Sequence, residues 1–194
     1  MKQNMEHKST GKNRGKKTEQ TKGPGHVLKR PRKTTEYGRQ LNAKQTVKRT
    51  YGMREKQFRR FFDIAVLSEE VTGDMLLSLL ERRLDNVMYR LKFATTRRQA
   101  RQVIVHGHVL INGKKVHSPS CLVSEGDEIS YASKALEKDG FLSLIDKRFK
   151  SSAKVPDWLE LNKESRKGRV LRNPVRSDVV LTVDENAIVE LYSK

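Results

Sequence analysis

The chain has 194 residues, a formal net charge of +18 and 35% hydrophobic side chains. That length suits one domain or two small ones, and the excess charge needs a polyanionic partner or costs self-repulsion. No apolar run approaches the roughly 20 residues that cross a bilayer, the lone Cys121 excludes an internal disulfide, and the Lys-rich start lacks the apolar core of a secretory signal.

The charge is concentrated early. Residues 1–60 hold 19 Lys and Arg against 4 Glu, whereas the remainder is nearly balanced with 22 against 19 acids. The first 35 residues contain no aromatic side chain and only four large apolar ones, Met1, Met5, Val27 and Leu28. Such a segment buries too little surface to fold alone and is expected to be a basic extended tail that orders on RNA. Lys29, Arg30, Arg32 and Lys33 are its expected RNA contacts.

From Glu36 the pattern changes. Leu41, Lys44, Gln45 and Lys48 follow helical spacing between two Tyr-Gly pairs, Tyr37-Gly38 and Tyr51-Gly52. Phe58, Phe61, Phe62, Ala65 and Val66 then recur at three and four residues, which predicts an amphipathic helix with the phenylalanines in a core. Residues 75–93, MLLSLLERRLDNVMYRLKF, predict one long helix with Asp74 as its N-cap and Leu76, Leu80, Leu84, Val87 and Leu91 along one face. Arg82, Arg83 and Arg90 would flank that stripe, Arg83 and Arg90 on a shared face.

Thr95 or Thr96 caps a short helix over Arg97–His106, and Gly107 is placed to end it. Ala100, Val103 and Ile104 form its buried arc; Arg97, Arg98 and Arg101 form a separate basic arc. Val109–Ile111 and Lys114–Val116 are strands around Asn112-Gly113, the preferred two-residue hairpin turn, with Val109 opposite Val116. Lys114 and Lys115 lie at the tip. Leu122, Val123, Ile129 and Tyr131 suggest more strand around a turn at 125–127. Glu137–Phe149 has a helical pattern. Val179–Val183 and Ala187–Tyr192 read as two strands, and Arg166, Lys167, Arg169, Arg172 and Arg176 form a looser basic cluster.

No phosphate-binding loop, dinucleotide glycine pattern or nucleophile elbow occurs, so no catalytic activity is expected. His106-Gly107-His108 has neither the cysteines nor the carboxylates of a closed zinc site, and no metal or cofactor is expected. Asp85, beside Arg82 and Arg83, fits an ion-pair or cap partner better than a general acid. Cys121 fits a small core residue.

The run ERRLDNVMYRLKFATTRRQARQVIVHGHVLINGKKVHSPSCLVSEGDEI resembles the RNA-binding domain of bacterial-type small-subunit ribosomal protein S4. That domain also occurs in some pseudouridine synthases, tyrosyl-tRNA synthetases and small heat-shock proteins. The flanks favour the ribosomal family: YGRQLNAKQ and YGMREKQF resemble its helical region, and VPDWLEL and ENAIVELYSK resemble its C-terminus. The resemblance spans about residues 23–194. Residues 1–22 depart from it and lack the zinc cysteines of some members. It implies an α+β fold: a helical body of residues 36–81 with 150–194, and an inserted RNA-binding domain of residues 82–149, two helices followed by a small antiparallel sheet. It implies a zinc-free structural constituent of the small ribosomal subunit, not an enzyme. That constituent binds rRNA at a multi-helix junction, nucleates assembly and contributes to decoding accuracy. Partners would be small-subunit rRNA, ribosomal protein S5, other small-subunit proteins and mRNA at its entry site, with no membrane. The setting would be a bacterial cytoplasm or an organelle with a bacterial-type ribosome.

The RNA contacts carried over are Arg82, Arg83, Arg97, Arg98, Arg101, His106, His108, Lys114 and Lys115 in the domain, and Lys44, Gln45, Arg49, Tyr51 and Arg54 in the helical region. Two alternatives stay open: an RNA-modifying or tRNA-binding protein bearing the same domain, and a general basic nucleic-acid protein.

Overall fold

The computed structural model describes residues 35–136, 147–149 and 154–193. The expected basic tail, with Lys29, Arg30, Arg32 and Lys33, lies outside the described residues. So does most of the helix expected over 137–149, of which residues 147–149 are helical.

Helix α1 spans Glu36–Tyr51. The Thr35 hydroxyl accepts from the Gly38 N–H at 3.1 Å, a side-chain cap. Gly52 ends the helix in the left-handed region at φ 60°, where a side chain would be strained. A β-carbon there would also lie 2.9 Å from the Arg101 guanidinium. Helix α2, Glu55–Val66, buries Phe58, Phe61, Phe62 and Ala65 as the spacing predicts.

The long helix expected from residue 75 is two. Helix α3 runs Thr72–Glu81 with Val71, not Asp74, at its N-cap; Asp74 lies in the first turn. Helix α4 runs Leu84–Arg90. Arg83 between them is extended, at φ −61° and ψ 135°, and bridges Leu122 in antiparallel fashion. The Val123 N–H donates to the Arg82 carbonyl at 3.0 Å, and the Leu84 N–H donates to the Cys121 carbonyl at 2.8 Å. Tertiary hydrogen bonds from residues 121–123 thus replace those of a continuous helix. The leucine stripe keeps its period across the break, which is why the sequence hides it.

Helix α5, Arg97–Val105, has Thr96 as its cap and buries Ala100, Val103 and Ile104. Strands β1 (Val109–Ile111) and β2 (Lys114–Val116) form the expected hairpin with Val109 opposite Val116. Asn112 and Gly113 both have positive φ, 50° and 78°, as a type I′ turn requires. Strand β3 is Glu128–Tyr131, and the short helix α6 is Ser133–Leu136. Strands β4 (Leu159–Asn162) and β5 (Lys167–Val170) complete an antiparallel sheet of order β2-β1-β3-β5-β4.

The last strands expected are not found. Residues 179–183 form no strand. Glu185–Tyr192 is a helix, α7, capped by the Asp184 carboxylate, which accepts from the Ala187 N–H at 3.3 Å. The run of Val, Ile and Leu suggests strand; the cap and the burial of Ala187 and Ile188 against the helices decide otherwise.

Two apolar clusters organise the molecule. One gathers Leu84, Met88, Leu91, Ile104, Val109, Ile129, Trp158, Leu159 and Val170. The other gathers Val47, Tyr51, Phe58, Phe62, Leu76, Leu80 and Ile188, with Leu181, Val189 and Tyr192 against it. Residues 150–194 are expected to belong to the helical body; of those described, Trp158, Leu159 and Val170 lie in the first cluster and Ile188 in the second. The close approach that fixes this is at Gly168, where a β-carbon would lie 2.3 Å from Leu91. Only a bare backbone lets β5 sit on α4 so closely.

Candidate nucleic-acid interface

Two buried carboxylates organise the arginines. Glu81, at the end of α3, is fully buried. It accepts from the Tyr51 hydroxyl at 2.7 Å, from Asn86 Nδ2 at 2.7 Å, and from Arg90 Nε and Nη2 at 3.1 and 2.7 Å. Asp85, in the first turn of α4, accepts from Arg83 Nε and Nη2 at 3.1 and 2.8 Å and from Arg101 Nε at 2.6 Å. A buried carboxylate is tolerated only when paired and hydrogen-bonded, and both are. Burial, then the Glu81 charge and hydrogen bond, push the Tyr51 phenol far above its ordinary range. Burial alone would lower Arg90, but its pairing with Glu81 outweighs this and the guanidinium is raised.

The arc expected on α5 is therefore only partly a free surface. Arg98 is exposed. Arg101 donates to the Gly52 carbonyl at 2.5 Å and to the Tyr51 carbonyl, closing the end of α1. It is a tie between helices before it is an RNA contact. Arg97 donates through Nε to Asn86 Oδ1 at 2.8 Å. Its guanidinium lies 4.6 Å from the Tyr89 ring centre and 5.2 Å from that of Tyr51. Burial first, then the neighbouring Arg90 charge, lower its pKa.

Several other expected contacts change role. Arg83 is 2% exposed, paired with Asp85 and stacked 5.3 Å from the Phe61 ring centre. The break in the helix turns it inward, so it shares no face with Arg90 and its side chain is spent on Asp85. Tyr51 is buried too; it supports the arginines through its carbonyl, its ring face and its hydroxyl on Glu81. Arg82 is half-buried and donates to the Val123 carbonyl at 2.9 Å. Lys44, half-buried, pairs with Glu55 at 2.9 Å; Gln45 is half-buried beside it.

Arg49 and Arg54 are exposed on either side of Gly52, close to the Arg101 tie. His106, Lys114 and Lys115 are exposed and His108 is half-buried. The two histidine rings stack at 6.1 Å. Among the described residues no group of three His, Cys, Asp or Glu is arranged to hold a metal ion.

Sequence spacing alone does not reveal the cations around Tyr89. Arg148 lies 5.5 Å from that ring centre, on the ring Arg97 also approaches. Its Nε is buried with no hydrogen-bond partner in the structure. Nearby, burial and then Lys163 and Arg148 lower the Lys92 pKa. Like charges held this close form a ready site for phosphate oxygens, to which guanidinium forks are matched. Tyr89 lies off the apolar stripe of its helix and half-buried, and Arg148 is distant in sequence, so only the fold unites them.

Two family models match the chain. Residues 82–129 match the model of the S4 domain, and residues 2–81 match that of the ribosomal protein S4/S9 N-terminal domain. The chain is 48% identical over 171 residues to the small ribosomal subunit protein uS4 of Halothermothrix orenii, covering 88% of this chain and 81% of that protein. It is 50% identical, with the same coverage, to the uS4 of Thermoanaerobacter pseudethanolicus and to that of Aquifex aeolicus.

The chain belongs to the ribosomal protein uS4 family. The match from residue 2 also takes in residues 2–22, in which the sequence motifs show no resemblance. The α3–α4 break, where one matched region ends and the next begins, is where Glu81 and Asp85 anchor the arginines.

Proposed function

We propose that this protein is a non-enzymatic structural constituent of the small ribosomal subunit that binds its rRNA. The observation that carries the reading is near-half identity to uS4 proteins over 88% of the chain. The chemistry is consistent with it: Arg97 and Arg148 are held against Tyr89, Arg90 is fixed by Glu81, and Arg49, Arg54 and Arg98 are exposed. RNA at a junction is read by shape, 2′-hydroxyls and phosphates. Arginines fixed by buried carboxylates meet it with little ordering entropy left to lose.

In this reading the protein binds a multi-helix junction, nucleates assembly and contributes to decoding accuracy. The RNA-binding part comprises residues 82–131 with the strands of 159–170. Residues 36–81 with α7 form the helical body. His106, His108, Lys114 and Lys115 on the hairpin side make a second contact zone, and Lys29, Arg30, Arg32 and Lys33 add phosphate contacts from the tail. Ribosomal protein S5 and mRNA at its entry site are the neighbouring partners, in a bacterial cytoplasm.

The test is sedimentation of a cell extract through a sucrose gradient. The protein should travel with small subunits at moderate salt, and its absence from those fractions overturns the reading. Binding of the purified chain to full-length small-subunit rRNA should fall on the order of a thousandfold between 50 and 200 mM salt if about six to ten phosphates are neutralised.

A further inference from the structure

Among the hollows lined by described residues, three carry carboxylates in their walls: Glu70 and Asp74 in one, Asp63 in another, Glu128 and Glu160 in a third. A fourth carries none. It lies between α2 and the loop of residues 118–122, with a volume of about 310 Å³. A carboxylate in the wall repels an approaching phosphate; here there is a cation, Arg60, and no carboxylate to offset it. Arg60 is exposed and pairs with no carboxylate among the described residues.

The lining combines an apolar floor with polar ends. Gln57, Arg60, Phe61 and Ile64 recur at three and four residues, so one face of α2 forms one wall. Phe61 and Ile64 supply its apolar surface, and Leu122 supplies more from the loop. Ser118 and Ser120 stand on the loop side with their hydroxyls 3.2 Å apart. Both walls are fixed without a ligand. The Arg83 guanidinium, itself buried, lies 5.3 Å from the Phe61 ring centre. The loop is tied to the start of α4: the Leu84 N–H donates to the Cys121 carbonyl at 2.8 Å and the Asp85 N–H to the Pro119 carbonyl at 3.1 Å. A site with walls already set loses little entropy on binding. Ligand pockets begin at roughly 300 Å³, so this one suits a single planar group. Unstacked bases of RNA are such groups, read by contact with their faces and by hydrogen bonds at their edges.

We infer that this hollow receives one unstacked nucleobase of the bound RNA. The base rests on Phe61, Ile64 and Leu122, and the Gln57 amide, which both donates and accepts, meets its edge. Arg60 holds the adjoining phosphate, and the Ser118 and Ser120 hydroxyls meet the ribose. The inference rests on the RNA-binding reading above and adds to it a contact of a different kind. Phosphate contacts such as those expected at Tyr89 position RNA; a base contact specifies it.

The experiment places a photo-crosslinking amino acid at Ile64 of the full-length chain and irradiates its complex with full-length small-subunit rRNA. Ile64 is 38% exposed, so the fold should persist, which thermal unfolding checks. Mass spectrometry should find position 64 joined to one nucleotide, through its base. Replacing that nucleotide in the rRNA by an abasic one should weaken binding of the unsubstituted chain about tenfold, the worth of one stacked base. The slope of log affinity against log salt should stay the same, because every phosphate and every protein cation is kept. Arg60→Ala, at an exposed position, should instead reduce that slope by about one. Crosslinks spread over many nucleotides, crosslinks to sugar or phosphate alone, or none at all overturn the inference. So does an affinity that ignores the abasic substitution. Failure of the unsubstituted chain to bind the rRNA would instead fail the ribosomal reading, so the two failures are distinguishable.

Discussion

Glu81 and Glu55 gather the same kinds of partner in opposite surroundings. Each accepts from a tyrosine hydroxyl at 2.7 Å, Tyr51 for Glu81 and Tyr192 for Glu55. Each holds cationic groups: Arg90 on Glu81, Lys44 and Lys48 on Glu55. The side chain of Glu81 is 0% exposed and that of Glu55 48%. In the core, every donor left without its acceptor costs its full desolvation, whereas at the surface water replaces the missing partner. Similar sets of partners should therefore have unequal consequences.

The largest effect is expected from Glu81→Ala. It strands Arg90, Tyr51 and Asn86 together and should lower stability by about 3–5 kcal/mol. Urea unfolding followed by circular dichroism measures this. A loss under about 1 kcal/mol would break the comparison, because burial would then not set the value of the hydrogen bonds. Next is Arg101→Ala, which frees the Gly52 and Tyr51 carbonyls and leaves Asp85 with Arg83 alone. The expected loss is about 1.5–3 kcal/mol on the same measurement. Sequence spacing places Arg101 with Arg97 and Arg98 as an RNA contact, and this outcome separates a tie from a contact.

That separation shows where the sequence is legible. Periodicity finds α1, α2 and α5, and turn chemistry finds the hairpin with its register, because those signals are local. The buried arc Ala100, Val103 and Ile104 and the Asn112-Gly113 turn need no distant residue. The break at Arg82–Arg83 depends on backbone partners about 40 residues away, and nothing in MLLSLLERRLDNVMYRLKF announces it. Spacing thus assigns Arg83 to a surface it does not share. Strand β5 is hidden in a cluster that reads only as basic, and its place is fixed by Gly168 against Leu91. The family resemblance is legible because its residues are contiguous; the Tyr89 cluster is not, because Arg97 and Arg148 meet only in three dimensions.

A smaller effect on folding, and a clear one on binding, is expected from Arg97→Ala with Arg148→Ala. Both guanidiniums rest on aromatic faces, and among the described residues neither pairs with a carboxylate. Affinity for full-length small-subunit rRNA, measured by filter binding, should fall about tenfold or more. The slope of log affinity against log salt should shrink by about one for each phosphate no longer neutralised. An unchanged slope would mean that the cluster meets no phosphate.

The smallest effect belongs to Glu55, and its signature is pH. Burial alone would raise its pKa, but hydrogen bonds from Lys48, Lys44 and Tyr192 lower it from 4.5 to about 2. A carboxyl depressed in the folded state binds its proton more readily when unfolded. Its contribution is therefore fully present above the unfolded pKa near 4.5 and disappears as pH falls toward 2. Glu55→Gln should cost under about 1 kcal/mol at pH 7, because half-exposed ion pairs are screened. The difference between the two proteins in urea unfolding should narrow between pH 4.5 and pH 2. A difference that stays constant across that window would mean that packing of the Glu55 stem, rather than its charge, joins α1, α2 and α7.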